Sequence, residues 1–265
     1  MAYSLSASKL KTYHRCPRAY YFQYEYGLGD GAAFGAAALG QALHRALAQI
    51  YSEWHYLDPI PLLNWVANCW QQQSEGLSTA QSTEGWKLLK QYYEQYILPL
   101  PALKRPLAVE SRIQGKLQVA GVEFKLGGRY DRLDWLDDGL ELIDYKSAKD
   151  PHRPDSETVD IQMGLYYLAL EQRYNTALKR MSLLYLRTGE KLSFEASTAQ
   201  KARVASLIGD LALQLLADQN WQPKIGSQCD RCTFARHCTA VCADPVPLPD
   251  GAKPIQRTIQ LALSL

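Results

Sequence analysis

The sequence predicts a mixed α/β (α+β) fold, a mixed central sheet with helices packed against it. Hydrophobic residues recur at helical spacing up to about residue 97 and change to short alternating or apolar runs from Leu107. A helix, two strands and a last helix follow, and long helices interleaved with strand runs imply helices lying on a sheet. Hydrophobic residues make up 47% of the chain, enough for a packed core, and 265 residues suit one large domain or two small ones.

Residues 4–26 read as two short helices, with Ser6 as a cap for the first and Pro17 in the first turn of the second. Tyr20–Tyr26 is dense in aromatics that suit a core or, alternatively, a platform for stacking bases. Gly29–Ala38 is rich in small residues and leads into a helix over Gly35–Ser52, where Gly40, His44, Leu47 and Tyr51 share a face. Two further helices, 61–73 and 80–97, are rich in Trp and Tyr and read as an insertion covering one side of the sheet or, alternatively, lining a channel. Strands over 107–117 and 122–126 meet at a turn at Ala120–Gly121. A hairpin over 127–147 turns at Asp137–Gly139, with Asp134, Asp137 and Asp138 as turn and surface residues. The polar loop Ser147–Asp155 carries Lys149, His152 and Arg153, a candidate phosphate-contacting surface. A helix over Glu157–Tyr174, strands at Met181–Arg187 and Lys191–Ala196, and an amphipathic helix over Thr198–Asp218 complete the core.

Net charge is only +2, so any nucleic-acid site must be a local groove rather than a global basic field. No apolar run approaches the roughly 20 residues that cross a bilayer, which argues against a membrane partner. Met1–Lys9 lacks the charged start and apolar centre of a signal peptide, so a cytoplasmic location is expected. Six cysteines in such a setting call for a reason other than disulfides.

The chemistry concentrates in the 127–147 hairpin. Side chains alternate along a strand, so Asp144 and Lys146 point the same way, and Asp131 on the preceding strand can converge on them. Two carboxylates are hard oxygen ligands suited to Mg²⁺ or Mn²⁺, and a lysine beside them can steer a water or steady a phosphate. Taken alone, Asp-x-Lys reads first as an ion pair on a solvated edge strand, and it is the rest of the chain that favours the metal reading. Glu110 is either a third carboxylate or an exposed strand glutamate, and His44 alone is either a ligand or a packed residue. Gln162 and Tyr166 stand four apart and project from one helix face.

Cys69 lies in an apolar stretch and reads as core. Cys229, Cys232 and Cys238 have the spacing of a metal loop, and Cys16 sits at a helix start, where the dipole favours a thiolate. Four thiolates suit Zn²⁺ or an iron–sulfur cluster, and His237 and Cys242 leave other ligand sets open. One distant cysteine plus a compact triplet favours a cubane that staples the chain ends, with metal needed for folding.

Together these residues resemble the PD-(D/E)XK nuclease superfamily. The most similar branch is the RecB-like nucleases with a four-cysteine [4Fe-4S] cluster, which includes the CRISPR-associated exonucleases and AddB-type helicase–nuclease subunits. The carriers are Ser6–Phe22 with Cys16, His44 in Gly-Gln-Ala-Leu-His, Asp131, Asp144-Tyr-Lys146, Gln162-x₃-Tyr166 and the C-terminal cysteine triplet. Tyr130 stands where the motif that names the superfamily has proline. The resemblance implies a single restriction-endonuclease-like domain over 1–265. Its parts are N-terminal helices with the first cluster cysteine (1–30), a helical insertion (54–105), the nuclease core (107–218), a cluster segment (219–242) and a tail (243–265). It implies a Mg²⁺- or Mn²⁺-dependent DNA exonuclease acting on single strands or duplex ends in repair, recombination or CRISPR-type processing. His44, Asp131, Asp144 and the Tyr145 carbonyl would hold the ion, Lys146 would serve the attacking water, and Gln162 and Tyr166 would position the strand. A helicase or CRISPR adaptation proteins would be partners. A non-cleaving DNA-binding subunit with the same fold is the alternative.

Overall fold

Strand β4, which carries Asp144 and Lys146, lies in the middle of a six-stranded mixed sheet. The computed structural model describes residues 3–28, 34–147, 156–195 and 197–249. In chain order the elements are β1 (Tyr3–Leu5), α1 (Ala7–Arg15), α2 (Pro17–Tyr20), α3 (Phe34–Ser52), α4 (Leu63–Gln73), α5 (Thr79–Tyr96), β2 (Ala108–Val119), β3 (Val122–Leu136) and β4 (Gly139–Lys146). Then come α6 (Ser156–Tyr174), β5 (Leu178–Tyr185), β6 (Glu190–Glu195) and α7 (Thr198–Ala217), followed by two single 3₁₀ turns. The predicted phosphate-contacting residues Lys149, His152 and Arg153, Gly29 to Ala33, and the last part of the tail lie outside the described residues.

The sheet order is β1-β3-β4-β5-β6, with β2 also paired along β3. The β4–β5 pair is parallel and therefore needs a crossover, which α6 supplies. Leu140 and Leu142 face a core shared with α6 and α7, whereas Ile143 and Tyr145 face a second core built by α3, α4 and α5. Burial on both faces explains the near-continuous apolar run of β4. It also rules out the edge-strand reading of Asp-x-Lys. Complete burial of Leu142 contributes about 1.5–3 kcal/mol.

Several expectations need correction. Residues 122–136 form one long strand rather than two, because β2 pairs along it from Val122 to Leu133 in a single register, interrupted only at Glu110 opposite Asp131. Tyr3–Leu5 is a short strand parallel to β3, too brief to show a period of its own. Tyr21–Glu25 continues α2 as a π turn. β5 starts at Leu178, ahead of the expected Met181. The turn at Ala120–Gly121 is as expected, with both residues at positive φ (49° and 74°), the geometry a two-residue hairpin of primed type requires. The β3–β4 turn is where Asp-Gly predicts it, but for another reason. Gly139 is not among the positive-φ residues, and a Cβ there would meet the Ala177 carbonyl oxygen at 2.5 Å. Asp134 is not a surface residue: it is half-buried and pairs with Arg132 at 2.9 Å.

Tyr20 and Phe22 are buried, which settles the aromatic cluster as largely core. Tyr20 stacks on Trp221, and the Tyr13 hydroxyl donates to Asp218 Oδ2 at 3.0 Å. Direct contacts therefore already join the first helices to the segment after α7. Cys69 is core, with its thiol pushed up to about 12 chiefly by burial.

Candidate active site

The site forms where β3 and β4 part. Their antiparallel ladder ends at Arg132–Ile143, and the next residues, Asp131 and Asp144, stand at the mouth of the split. α3 runs across this point. A Cβ at Gly40 would meet Ser147 Oγ at 2.9 Å, so glycine lets the helix approach the end of β4, and His44 lies one turn further along.

His44 Nδ1 lies 3.1 Å from Asp131 Oδ1 and 3.8 Å from Glu110 Oε1. Asp131 turns its other oxygen to the Tyr145 backbone N–H, which donates at 2.6 Å. His44, Glu110 and Asp131 bring one donor atom each within 4.8 Å of one another, and no other such group of three occurs among the described residues. An imidazole and two carboxylates suit a borderline or hard divalent cation, so these donors fit Mg²⁺ or Mn²⁺.

Glu110 is the member that the pattern left undecided. Its φ of 44° is unusual for a side-chain-bearing residue and removes one pair from the β2–β3 ladder opposite Asp131, between the pairs Val109–Arg132 and Ser111–Tyr130, while the register on either side stays the same. The kink aims a carboxylate that an unbroken strand would point elsewhere. Asp144, expected in the ligand set, stands just outside the group. Lys146 Nζ pairs with its Oδ2 at 2.5 Å, and Gln162 Nε2 donates to its Oδ1 at 3.2 Å. Gln162 also donates to the Tyr166 hydroxyl at 3.2 Å, so the two residues expected to act together meet in one network.

Charge follows this geometry. Burial disfavours the charged form of His44, but hydrogen bonds to Asp131 and Glu110 and the charge of Asp144 outweigh it and raise its pKa to about 10. Burial, reinforced by Asp144, raises Asp131 against the opposing pull of His44. Burial lowers Lys146, yet Asp144 and Asp131 more than compensate, so the ammonium stays charged. Burial raises the Tyr166 hydroxyl, which is a neutral donor at physiological pH.

Two neighbouring groups lacked any local signal. Lys11 of α1 donates to Gln162 Oε1 at 3.0 Å across 151 positions of sequence. Arg132 lies under the site with its guanidinium over the Tyr51 ring, 4.2 Å from its centroid, and bonds the Tyr92 and Tyr145 hydroxyls at 2.9 and 3.0 Å.

The cysteines lie apart from this centre. Cys16, Cys232 and Cys238 pack on a small core of Ala19, Phe22 and Phe234. Burial raises the Cys232 thiol, and the nearby Cys16 and Cys229 raise it further. No three of these thiols come within 4.8 Å of one another. A tetrahedral zinc site, with Zn–S near 2.3 Å, would place them closer than that. His237 bonds the Val246 carbonyl with Nδ1 at 2.8 Å, and the Cys242 thiol lies 3.3 Å from the Asp244 carbonyl.

A comparison with curated proteins finds no significant match. Among solved structures, a candidate exonuclease from Eubacterium rectale superposes with a TM-score of 0.51 at 12% identity, covering 86% of this chain and 86% of that one. SSO0001 gives a TM-score of 0.47 at 13% identity over 91% of this chain and 88% of that one. LHK-Exo in complex with dAMP gives 0.32 at 14% identity over 69% of this chain and 92% of that one. At 12% identity the likeness to the Eubacterium rectale protein is one of fold. The family model for the PD-(D/E)XK nuclease superfamily, however, matches residues 4–239, a span that includes the split strands, His44, the Asp-x-Lys pair and Gln162. With most of the chain inside that match and a metal-ready His–Glu–Asp group where its central strands divide, this protein belongs to the PD-(D/E)XK nuclease superfamily.

Proposed function

We propose that the protein is a divalent-metal-dependent deoxyribonuclease that degrades single-stranded DNA or duplex ends from a terminus. The observation that carries this reading is the convergence of His44, Glu110 and Asp131 beside the Asp144–Lys146 pair. His44, Asp131 and Asp144, with the Tyr145 carbonyl, would hold Mg²⁺ or Mn²⁺, and Glu110 faces the same space. Bound there, the ion supplies Lewis-acid polarisation of the scissile phosphate and a water of lowered pKa.

The chain's own groups do the rest. The Tyr145 N–H holds Asp131 in orientation through its Oδ2, leaving Oδ1 toward His44. Lys146, charged and tied to Asp144, offsets the negative charge that builds on the phosphoryl oxygens and orients the attacking water. Gln162 holds Asp144 from the other side, and Tyr166 supplies a neutral donor beside it. The test is Lys146→Ala. It should abolish cleavage of labelled single strands in Mn²⁺ while DNA binding and cysteine-site metal content stay at wild-type levels. Cutting at the wild-type rate would remove Lys146 from the mechanism.

Within the superfamily we assign the protein to the RecB-like branch, as one nuclease domain in which residues 54–105 are a helical cover. Cys16, Cys229, Cys232 and Cys238 would hold a [4Fe-4S] cluster. The support is the spacing of the cysteine triplet in the sequence and the small core on which Cys16, Cys232 and Cys238 pack. Iron and acid-labile sulfide in equal amounts after anaerobic purification is the expected result; stoichiometric zinc in colourless protein would overturn it. Unwinding would come from a partner helicase, and CRISPR adaptation proteins are the other candidate partners.

A further inference from the structure

The ribbon formed by β2 and β3 runs out from the active site, and its solvent face carries an unusual charge pattern. Directly opposed residues of an antiparallel pair share a face, so Arg112, Gln114 and Lys116 of β2 lie with Arg129, Gly127 and Lys125 of β3. The four charged residues among them are exposed, and each faces its own kind: Arg112 stands opposite Arg129, and Lys116 opposite Lys125. Like charges directly opposite each other destabilise a sheet, and here two such pairs follow one another on one face. Neighbouring acids answer only two of the four cations. Arg129 lies 3.6 Å from Glu110, and Lys116 lies 3.1 Å from Glu123. Arg112 and Lys125 have no side-chain partner among the described residues. The stripe begins at the metal-ready group, because Glu110 faces Arg129 with Oε2 and turns Oε1 toward His44 at 3.8 Å. At about 3.4 Å per residue, the arginine pair lies about 7 Å from Glu110 along the ribbon and the lysine pair about 20 Å. None of the six residues is aromatic, so this face offers charge without a platform for stacking bases.

Resting on the deoxyribonuclease reading above, we infer that the backbone of the substrate DNA strand lies along this stripe as it meets the metal centre, with Arg112 and Lys125 each binding a phosphate. A regularly spaced polyanion is the partner that fits two cationic pairs in line with the site. Phosphates follow one another at about 3.4 Å along a stacked strand, so the stretch from Glu110 to the lysine pair takes about six nucleotides. A strand lying there brings negative charge to each pair and relieves the repulsion within it. Contact with the backbone alone carries no base preference. The chain's net charge of +2 is no obstacle, since the cations that matter are collected on one ribbon beside the site.

The experiment measures binding of a fluorescent single-stranded oligonucleotide by anisotropy over a range of salt concentrations. It uses the full chain in a Lys146→Ala background so that the strand stays intact. Arg112→Gln and Lys125→Gln should each lower the slope of log K against log salt by about 0.7, the share of one phosphate contact on a single strand, and the double variant by about 1.4. Extrapolated from 1 M salt, that share amounts to about fivefold weaker binding at 0.1 M for each single variant and about 25-fold for the double. Arg112→Lys and Lys125→Arg should retain both affinity and slope. A double control, Lys90→Gln with Lys179→Gln, removes the same charge from α5 and from the end of β5 remote from Lys146, and should leave the slope unchanged. Thermal midpoints of the stripe variants should equal or exceed the parent's, because opposed like charges are removed. An unchanged slope in Arg112→Gln/Lys125→Gln overturns the inference. An equal fall in the control overturns it too, since net charge rather than the stripe would then set the binding. If the parent fails to bind DNA, the inference falls; if the chain with Lys146 intact also cuts no labelled strand, the deoxyribonuclease reading falls with it.

Discussion

The Tyr145 backbone N–H donates to Asp131 Oδ2 at 2.6 Å, just past the last pair of the β3–β4 ladder. A side chain thus replaces the ladder partner that Tyr145 loses when β3 diverges. Asp131 closes the gap between the strands and presents its other oxygen to His44. One carboxylate serves both fold and site, and its two roles can be separated. Asp131→Asn keeps an acceptor for Tyr145 and removes the charge; it should lose at least a hundredfold in cleavage with little change in thermal midpoint. Asp131→Ala should lose activity and also about 1–3 kcal/mol of stability, because a buried N–H is left unpaired. Equal destabilisation by the two variants in urea titrations would contradict this division.

Glu110 offers a second separation. Its φ of 44° suits glycine better than glutamate. Glu110→Gly should weaken Mn²⁺ binding by about tenfold or more in calorimetry, yet leave folding stability within about 1 kcal/mol of wild type, as relieved strain offsets added chain entropy. Undiminished ion affinity would show that the kinked strand has no part in holding the ion.

His44 makes the ion-free protein sensitive to alkali. Its pKa is raised from 6.5 to about 10 on folding. The stability it contributes is fully present below about pH 6.5 and lost as pH climbs through about 10. In chelator, the thermal midpoint should fall by roughly 5–10 °C across that window. His44→Asn should flatten the decline. Saturating Mn²⁺ should do the same, since the ion takes the place of the imidazolium proton. A wild-type decline that survives both treatments would place its origin elsewhere.

Arg132 is a cation almost sealed in the interior, with its side chain 11% exposed and its partners Asp134, Tyr92 and Tyr145 around it. Removing one member of such a set leaves an unbalanced charge. Arg132→Ala should cost about 3–5 kcal/mol in denaturant unfolding. Tyr145→Phe takes away a single acceptor and should cost about 1 kcal/mol. A cost for Arg132→Ala below that of Tyr145→Phe would mean that the guanidinium is dispensable to the core.

Much of this protein was determined by local pattern alone. The alternation in β2 and β3, the turn at Ala120–Gly121 and the long periodic helices are legible because period and turn chemistry act over a few neighbours, whereas Asp131, Asp144, Lys146 and Gln162 stood out as candidates through their order along a family's motifs. Tertiary structure decided what depends on distant partners. β4 is interior because β5 pairs with it after the α6 crossover, so its Asp-x-Lys is not an edge pair. Glu110 joins the site at a backbone kink that no residue type announces, and the partners of Asp144, Lys146 and Gln162, come from its own strand and from α6. Lys11 reaches Gln162 across 151 positions, and Arg132 finds its tyrosines on α3, α5 and β4. Such contacts arise from packing between elements, a free energy shared among residues far apart in sequence, and so no short window of sequence carries them.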